Sequence, residues 1–443
     1  MRAFSETTSL TGNSLHLALA PGKGIGGAAE NLTFFTGFTN EPQVVARSLV
    51  ALSEITSTRY YKYTPQSQRD PILSAHGDRL RAECFSACNS VYACFELFDS
   101  ALDGGQIGFG TTNVDINSET RRLLSEISAH ETLRLNVSAE GLTAVTKTQK
   151  ASERPVEMPS RWLNALGNIS QILPEFKLAF QVSASAAKAF LATLPPASAV
   201  NGNVWLTLSG NSINVSKRPL PDSVLIPGVH RLSALKRLLP YAQGMSIFQS
   251  ATDGLGALLS LDLPGGRFTL LLTEEAWRGF SGEGSMLVSL AADNVVADAD
   301  LVSAVLAFEA VIDLNLLAEK TGLSAVRVES ALALLAGSGR VGWDPHARAY
   351  FHRELPAEHE NVLQSNPRLG AARKLYEGGR VRAAGPDWIV KSGSTEYFIR
   401  LGNDLEALEV GAVCNCFWHV SHGGRRGPCK HILAAILKRT ENK

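Results

Sequence analysis

Cys414-Asn415-Cys416-Phe417-Trp418 is followed, with twelve residues separating Cys416 from the next cysteine, by Cys429-Lys430-His431-Ile432-Leu433-Ala434-Ala435-Ile436-Leu437. Zn2+ takes four ligands tetrahedrally and favours thiolate and imidazole. In the first piece, one residue between two cysteines lets both thiolates converge from a bend at a strand end. In the second, Cys429 and His431 converge where a loop enters a helix. A Cys3His shell closes the coordination sphere, so the site reads as structural. A short module with little core of its own would draw its folding energy from one bound Zn2+. Three thiolates leave such a centre with net negative charge, which Arg425, Arg426 and Lys430 lie close enough in sequence to offset. His419 and His422 compete as ligands, although Cys416-x2-His419 would crowd three ligands into six residues. A site without metal is the third reading.

Before the cysteines, Trp388–Lys391 and Glu396–Leu401 read as a hairpin around Ser392-Gly393-Ser394, and Val410–Val413 as a third strand leading into Cys414. The whole arrangement resembles the SWIM zinc finger, CxC–x12–CxH. Phe417 and Trp418 after the second cysteine, Gly427-Pro428 before the CxH, and Ala434 and Ala435 on the following helix fit that pattern. Gly77–Arg81, Gly110–Asn117 and Trp277–Gly284 are similar to segments of a bacterial family of long SWIM zinc finger proteins. The resemblance implies zinc held by Cys414, Cys416, Cys429 and His431, and binding to DNA or protein. It also implies association with MoxR-type AAA+ ATPases and von Willebrand A proteins. No catalytic residues carry over.

Residues 298–353 predict three helices and a small hairpin. Asp298 would cap Ala299–Phe308, Asp313 would cap Leu314–Lys320, and Ser324 would cap Ala325–Ala336. Arg340–Asp344 and Arg348–Arg353 follow as short strands around Pro345-His346. This is the plan of a winged helix. Its third helix offers Arg327, Ser324 and Ser330 but is otherwise apolar apart from Glu329, a poor surface for reading base edges. Packing against a neighbouring domain or partner is the better use. Pro356–Asn366 reads as a linker.

Upstream, the order strand, helix, strand, turn, strand recurs three times between about residues 107 and 272. The helices fall at Ser118–Ile127, Ser183–Thr193 and Leu232–Leu239, the last ended by Pro240. The order resembles the repeated unit of DNA sliding clamps. A helix over Glu41–Thr58 and a hairpin of Leu80–Ser86 with Val91–Phe98 precede it. Cys84, Cys88 and Cys94 on that hairpin lack metal-ligand spacing and read as core. The run Pro21–Gly27 fails the P-loop test, because no Ser or Thr follows Lys23. The fold class expected is therefore α+β, with a clamp-like N-terminal domain over 1–295, a winged-helix-like domain over 296–356 and a zinc-finger module over 357–443.

The chain has 443 residues, 45% of them apolar, with 42 Lys+Arg balancing 42 Asp+Glu. That balance argues against a protein that coats nucleic acid or an anionic membrane with its whole surface, and leaves room for a local basic patch. No apolar run reaches the ~18–20 residues that span a bilayer. No secretory signal is read at the N-terminus, so a cytoplasmic, reducing environment is expected. Three functions compete. In the first, a regulatory protein binds DNA or RNA weakly and without sequence preference through Arg425, Arg426, Lys430, Lys438, Arg439 and Trp418. In the second, an adaptor docks onto an ATPase or its partner, a use the apolar third helix favours. The third is an enzyme, against which stands the lack of GxSxG, HExxH and Walker patterns; His352 and Glu354 read as surface on a wing strand. The expectation is a non-catalytic protein.

Overall fold

The computed structural model describes residues 9–11, 14–16, 33–65, 71–199, 202–250, 254–292, 294–307, 309–353, 355, 362–363, 366–402 and 411–441. The glycine run Pro21–Gly27, most of the segment expected as a linker, Asp253, Phe308, Glu354, Val410 and Lys443 lie outside them. The chain forms two compact units. The first comprises the described residues of Leu19–Pro159 and Glu175–Phe280; the second comprises those of Glu6–Ala18, Ser160–Pro174 and Ser281–Lys443. Among the described residues no helix is long and apolar enough to cross a membrane.

The first unit is mixed α+β, built on antiparallel sheets. Its largest sheet has eight strands in the order Phe109–Asn113, Ile72–His76, Arg79–Phe85, Val91–Phe98, Gly266–Leu272, Ala257–Leu263, Gly244–Ser250 and Phe176–Ser183. A five-stranded sheet runs Lys150–Glu153, Gly141–Val145, Arg134–Ser138, Thr33–Thr39 and Leu102–Ile107, and a three-stranded one Ser212–Ser216, Val204–Ser209 and Val224–Ile226. Alternation sorts the side chains: Leu135, Val137, Leu142 and Ala144 point inward and are buried, while Arg134, Asn136 and Thr143 point outward. Helix Pro42–Thr56 starts with its proline at the first position, where a missing N–H costs nothing, and buries Val45, Leu49, Leu52 and Ile55. Cys84, fully buried, places its thiol 3.6 Å from the Leu52 carbonyl of that helix, and burial pushes its pKa up to about 12. It is core, as its spacing predicts.

The strand–helix–hairpin order occurs four times in this unit. The copy that the sequence pattern does not reveal begins at Thr33–Thr39, whose strand lies in a Gly/Ser/Thr-rich stretch that reads as loop. In every copy the leading strand belongs to one sheet and the hairpin after the helix to another. One element differs from its expected form. The segment expected to be helical over Leu232–Leu239 is a 3-10 run, Val229–Tyr241, that contains Pro240.

The second unit holds helices Ser160–Ile172, Val295–Val305, Leu314–Thr321 and Ala325–Gly337, then the hairpin Val341–Asp344 with Ala349–His352. Helix Pro367–Glu377, a sheet of Val381–Ala384, Asp387–Ser392, Thr395–Arg400 and Val413–Cys414, and helices Phe417–His422 and Lys430–Glu441 follow. Asp313 caps its helix as expected, accepting from the backbone N–H groups of Asn315 and Leu316 at 2.9 and 3.2 Å. Asp298 does not. Its helix begins at Val295, and the buried Asp298 carboxylate instead holds Arg327, with Nε donating at 2.8 Å. The apolar side of Ala325–Gly337 is not a free face either. Val328 and Ala331–Gly337 are buried, within an apolar cluster that extends from Met286 to Ile436.

Candidate metal centre

Four short elements of the second unit converge on one buried point. Strand Val413–Cys414 pairs with Thr395–Arg400 through Ile399 opposite Cys414, which turns the Cys414 thiol inward with the buried Ile399. Cys416 is the N-cap of helix Phe417–His422, and the His419 N–H donates to its sulfur at 3.5 Å. Cys429 immediately precedes helix Lys430–Glu441, whose Ile432 N–H donates to its sulfur at 3.4 Å. Both sulfurs therefore face backbone N–H groups at helix starts, where negative charge is stabilised. Gly427, at φ +74°, makes the turn before Cys429; a Cβ there would lie 2.4 Å from the Gly284 carbonyl oxygen, so only glycine fits.

Cys414, Cys416, Cys429 and His431 are all buried, with their ligand atoms within 4.8 Å of one another. Cys414 Sγ and His431 Nδ1 are 3.8 Å apart. A tetrahedral ion with bonds of about 2.3 Å to sulfur and about 2.0 Å to nitrogen separates its ligands by about 3.6–3.8 Å, so the spacing fits. The Nε2 atom of His431 is buried without a hydrogen-bond partner. Without an ion the three thiols share their protons: the Cys414 thiol donates to Cys429 and is held above the usual range, burial raises Cys416, and Cys429, which accepts from Cys414, is lowered. A bound cation would take all three as thiolates. The donor set can thus hold one metal ion. His419 and His422 stand outside the cluster. His422 packs edge-on against Trp418, with ring centroids 4.4 Å apart.

Two side chains that carry no local sequence signal complete the surroundings. Tyr397 stacks on His431 with centroids 3.9 Å apart and planes 16° apart. Arg368, from helix Pro367–Glu377, donates to the carbonyls of Arg426 at 2.7 Å, Pro428 at 3.2 Å and Gly282 at 3.2 Å. Its guanidinium also lies 4.7 Å from the Trp418 ring centroid. Burial pushes the Arg368 pKa down to about 10.

The basic residues singled out from sequence differ in their surroundings. Arg426 packs over Trp418 at 5.2 Å, donates to the Gly282 carbonyl at 3.3 Å and sits 3.8 Å from the Glu283 carboxylate. Arg425 is exposed, and its Nε donates to the His422 carbonyl at 3.4 Å. Lys430 and Arg439 are half-buried, and Lys438 lies 5.9 Å from the Tyr376 ring centroid. Trp418, flanked by two guanidinium groups, is half-buried, whereas Phe417 beside it is 87% exposed.

No family model matches the chain, and no curated protein matches it. Among solved structures, Proliferating Cellular Nuclear Antigen from Entamoeba histolytica aligns with 55% of this chain and 99% of its own, at 9% identity and a TM-score of 0.36. The PCNA2–PCNA3 complex from Sulfolobus tokodaii aligns over 54% and 98%, at 9% identity and a TM-score of 0.38. At that level the likeness assigns no function.

Proposed function

We propose that this chain is a non-catalytic, zinc-binding regulatory protein of the SWIM type that binds nucleic acid through its C-terminal module. The observation that carries the proposal is the closed, buried Cys3His quartet with the exposed Phe417 directly after Cys416. Three thiolates and an imidazole favour Zn2+ among common ions, and four protein ligands leave no open position for chemistry. The ion would cross-link the strand end to the two helix starts. Phe417 then offers a face for base stacking, with Arg425, Lys430 and Arg439 binding phosphates. Arg426 and Trp418 serve the module from within. The helix-and-hairpin segment 296–356 is winged-helix-like in order, but Arg327 is committed to Asp298, so its role in this reading is packing. The four strand–helix–hairpin copies of the first unit would be clamp-like in order. Six cysteines, none in a disulfide, fit a reducing, cytoplasmic setting.

The test is salt-dependent binding of single- and double-stranded oligonucleotides by the zinc-loaded full chain. For each phosphate that an Arg425→Ala/Lys430→Ala/Arg439→Ala variant no longer neutralises, the salt slope should fall by about 0.7–0.9. An unchanged slope with zinc retained would remove the proposal. The second reading is an adaptor for an AAA+ ATPase or von Willebrand A partner. It is favoured by four apolar side chains exposed on the same module: Phe398 at 56%, Val413 at 54%, Phe417 at 87% and Val420 at 72%.

A further inference from the structure

The outer face of the five-stranded sheet carries side chains in rows that cross four strands. One row reads Phe38, Arg134, Val145, Lys150, and the next reads Thr36, Asn136, Thr143, Ser152. The face forms an open recess of about 610 Å³, lined by Arg134, Asn136, Thr143, Val145, Lys150 and Ser152 together with Thr33, Ser138, Gly141 and Arg154; Phe38 and Thr36 stand beside it, opposite Arg134 and Asn136 on the neighbouring strand. That volume is in the range of sites that enclose a small molecule, enough for one or two nucleotide units and too little for a duplex.

The charge on this face is unbalanced. Arg79, Arg81, Arg121, Arg237, Arg267 and Arg278 of the same unit each lie within 4 Å of a carboxylate. Among the described residues, Arg134, Lys150 and Arg154 have no such partner, and all three are exposed. Glu153 also lines the recess, but its carboxylate accepts from the Asn117 backbone N–H and Nδ2, both at 2.9 Å. Glu140, exposed at the turn, lines the recess as well, so three cations face two carboxylates. Arg134 is pre-oriented: its Nη2 donates to Thr36 Oγ1 at 3.2 Å, and its guanidinium sits 5.8 Å from the Phe38 ring centroid. Phe38 itself is 44% exposed.

We infer that this recess is a second nucleic-acid site, one that takes a single strand. Unpaired cations attract phosphates, the Phe38–Arg134 pair supplies a stacking platform, and the hydroxyl and amide row supplies donors and acceptors for base edges. An acidic peptide would use the cations and leave the aromatic platform and the polar row idle. The site needs no metal and shares no residue with the C-terminal module.

The experiment measures binding of a labelled short oligothymidylate to the zinc-loaded full chain across a salt series. Three proteins are compared: wild type, Arg134→Gln/Lys150→Gln/Arg154→Gln, and Phe38→Ser. These side chains are exposed, and thermal melts check that each variant folds. The triple variant should bind at least about tenfold more weakly, with a salt slope lower by about 2. Phe38→Ser should lose about tenfold while keeping its slope. The Arg425→Ala/Lys430→Ala/Arg439→Ala variant separates the two sites: binding that survives it but is lost in the groove variant supports the recess alone. Unchanged affinity and slope in the groove variant would overturn the inference, whatever the C-terminal variant does. Equal competition by polyglutamate of matching length would overturn it too, by reassigning the recess to peptide anions.

Discussion

The phenol ring of Tyr397 lies flat on the imidazole of His431, with centroids 3.9 Å apart. The stack fixes the plane of a ring whose Nδ1 faces the Cys414 sulfur at 3.8 Å. Groups that orient a metal-binding histidine typically influence metal affinity by about 10–100-fold. Tyr397→Ala should therefore weaken zinc retention by about tenfold, while Tyr397→Phe, which keeps the ring, should leave it near wild type. Competition against a chromophoric chelator measures both. Equal retention in the Ala variant would show that the stack is incidental.

Removing the metal should have a local and large effect. Structural zinc supplies about 10–16 kcal/mol in small modules. The ligands Cys414, Cys416 and Cys429 are part of the apolar cluster that runs from Met286 to Ile436. Chelation should thus loosen the packing of Lys430–Glu441 and reach into that core, while the first unit keeps its own sheets. Elemental analysis should give one zinc per chain, absent from Cys414→Ser/Cys429→Ser. The triple variant Cys84→Ala/Cys88→Ala/Cys94→Ala should keep its zinc. Cys84 and Cys94 are buried and Cys88 is half-buried between Ser86 and Ser90, all in the first unit, so a fall in zinc content in that protein would contradict a role for them outside the metal site.

His352, expected on the surface of a wing strand, is instead buried, and it should make the second unit sensitive to acid. Burial, the largest cause, pushes its pKa down to about 4, and the nearby Arg340 adds to the effect. Its Nδ1 hydrogen-bonds to the Ala307 carbonyl. The folded pKa lies below the unfolded value of about 6.5. Between these values the unfolded state binds more protons, so stability rises with pH. The contribution is complete above about pH 6.5 and is lost as pH falls to about 4. A shift of this size corresponds to roughly 3 kcal/mol. Thermal melts of zinc-loaded wild type and His352→Gln should converge as pH falls through this window. Parallel curves would exclude His352 as the cause.

How much of the fold and site is legible depends on sequence distance. The quartet is readable because Cys414 to His431 is one short stretch, and its spacing brings the donors together without help from the rest of the fold. The hairpin carrying Cys84 and Cys94 is readable for the same reason: alternation and a turn are local. The strand Thr33–Thr39 is not, because its Thr and Gly content suits a loop equally well, and only pairing with Arg134–Ser138 and Leu102–Ile107 makes it a strand. Asp298 misleads because a carboxylate near a helix start satisfies the capping pattern whether it caps or holds an arginine 29 residues away. Tyr397 and Arg368 reach the centre from other elements and leave no mark beside the cysteines.

Arg368 braces the turn that delivers Cys429. Its guanidinium serves three carbonyls, at Gly282, Arg426 and Pro428, and one face of Trp418. Two of those carbonyls belong to the turn itself. The approach is close: a Cβ at Gly284 would lie 2.6 Å from Arg368 Nη2. Arg368→Leu would remove this donor from the Arg426 and Pro428 carbonyls, leave Gly282 with Arg426 alone, and leave Trp418 with one guanidinium instead of two. Removing charge-assisted hydrogen bonds and a cation–π interaction together suggests a cost of about 2–4 kcal/mol. Arg368→Lys should recover only part of it, because an ammonium cannot fork across several carbonyls and a ring. The metal should respond as well. A looser turn presents Cys429 less often in the ligating position, so zinc should dissociate faster from Arg368→Leu than from wild type, with Arg368→Lys between them. Stopped-flow transfer of zinc to a chelator measures the rate, and a calorimetric melt measures the stability. If Arg368→Leu matches wild type in both, the guanidinium is a passenger on the turn rather than its support.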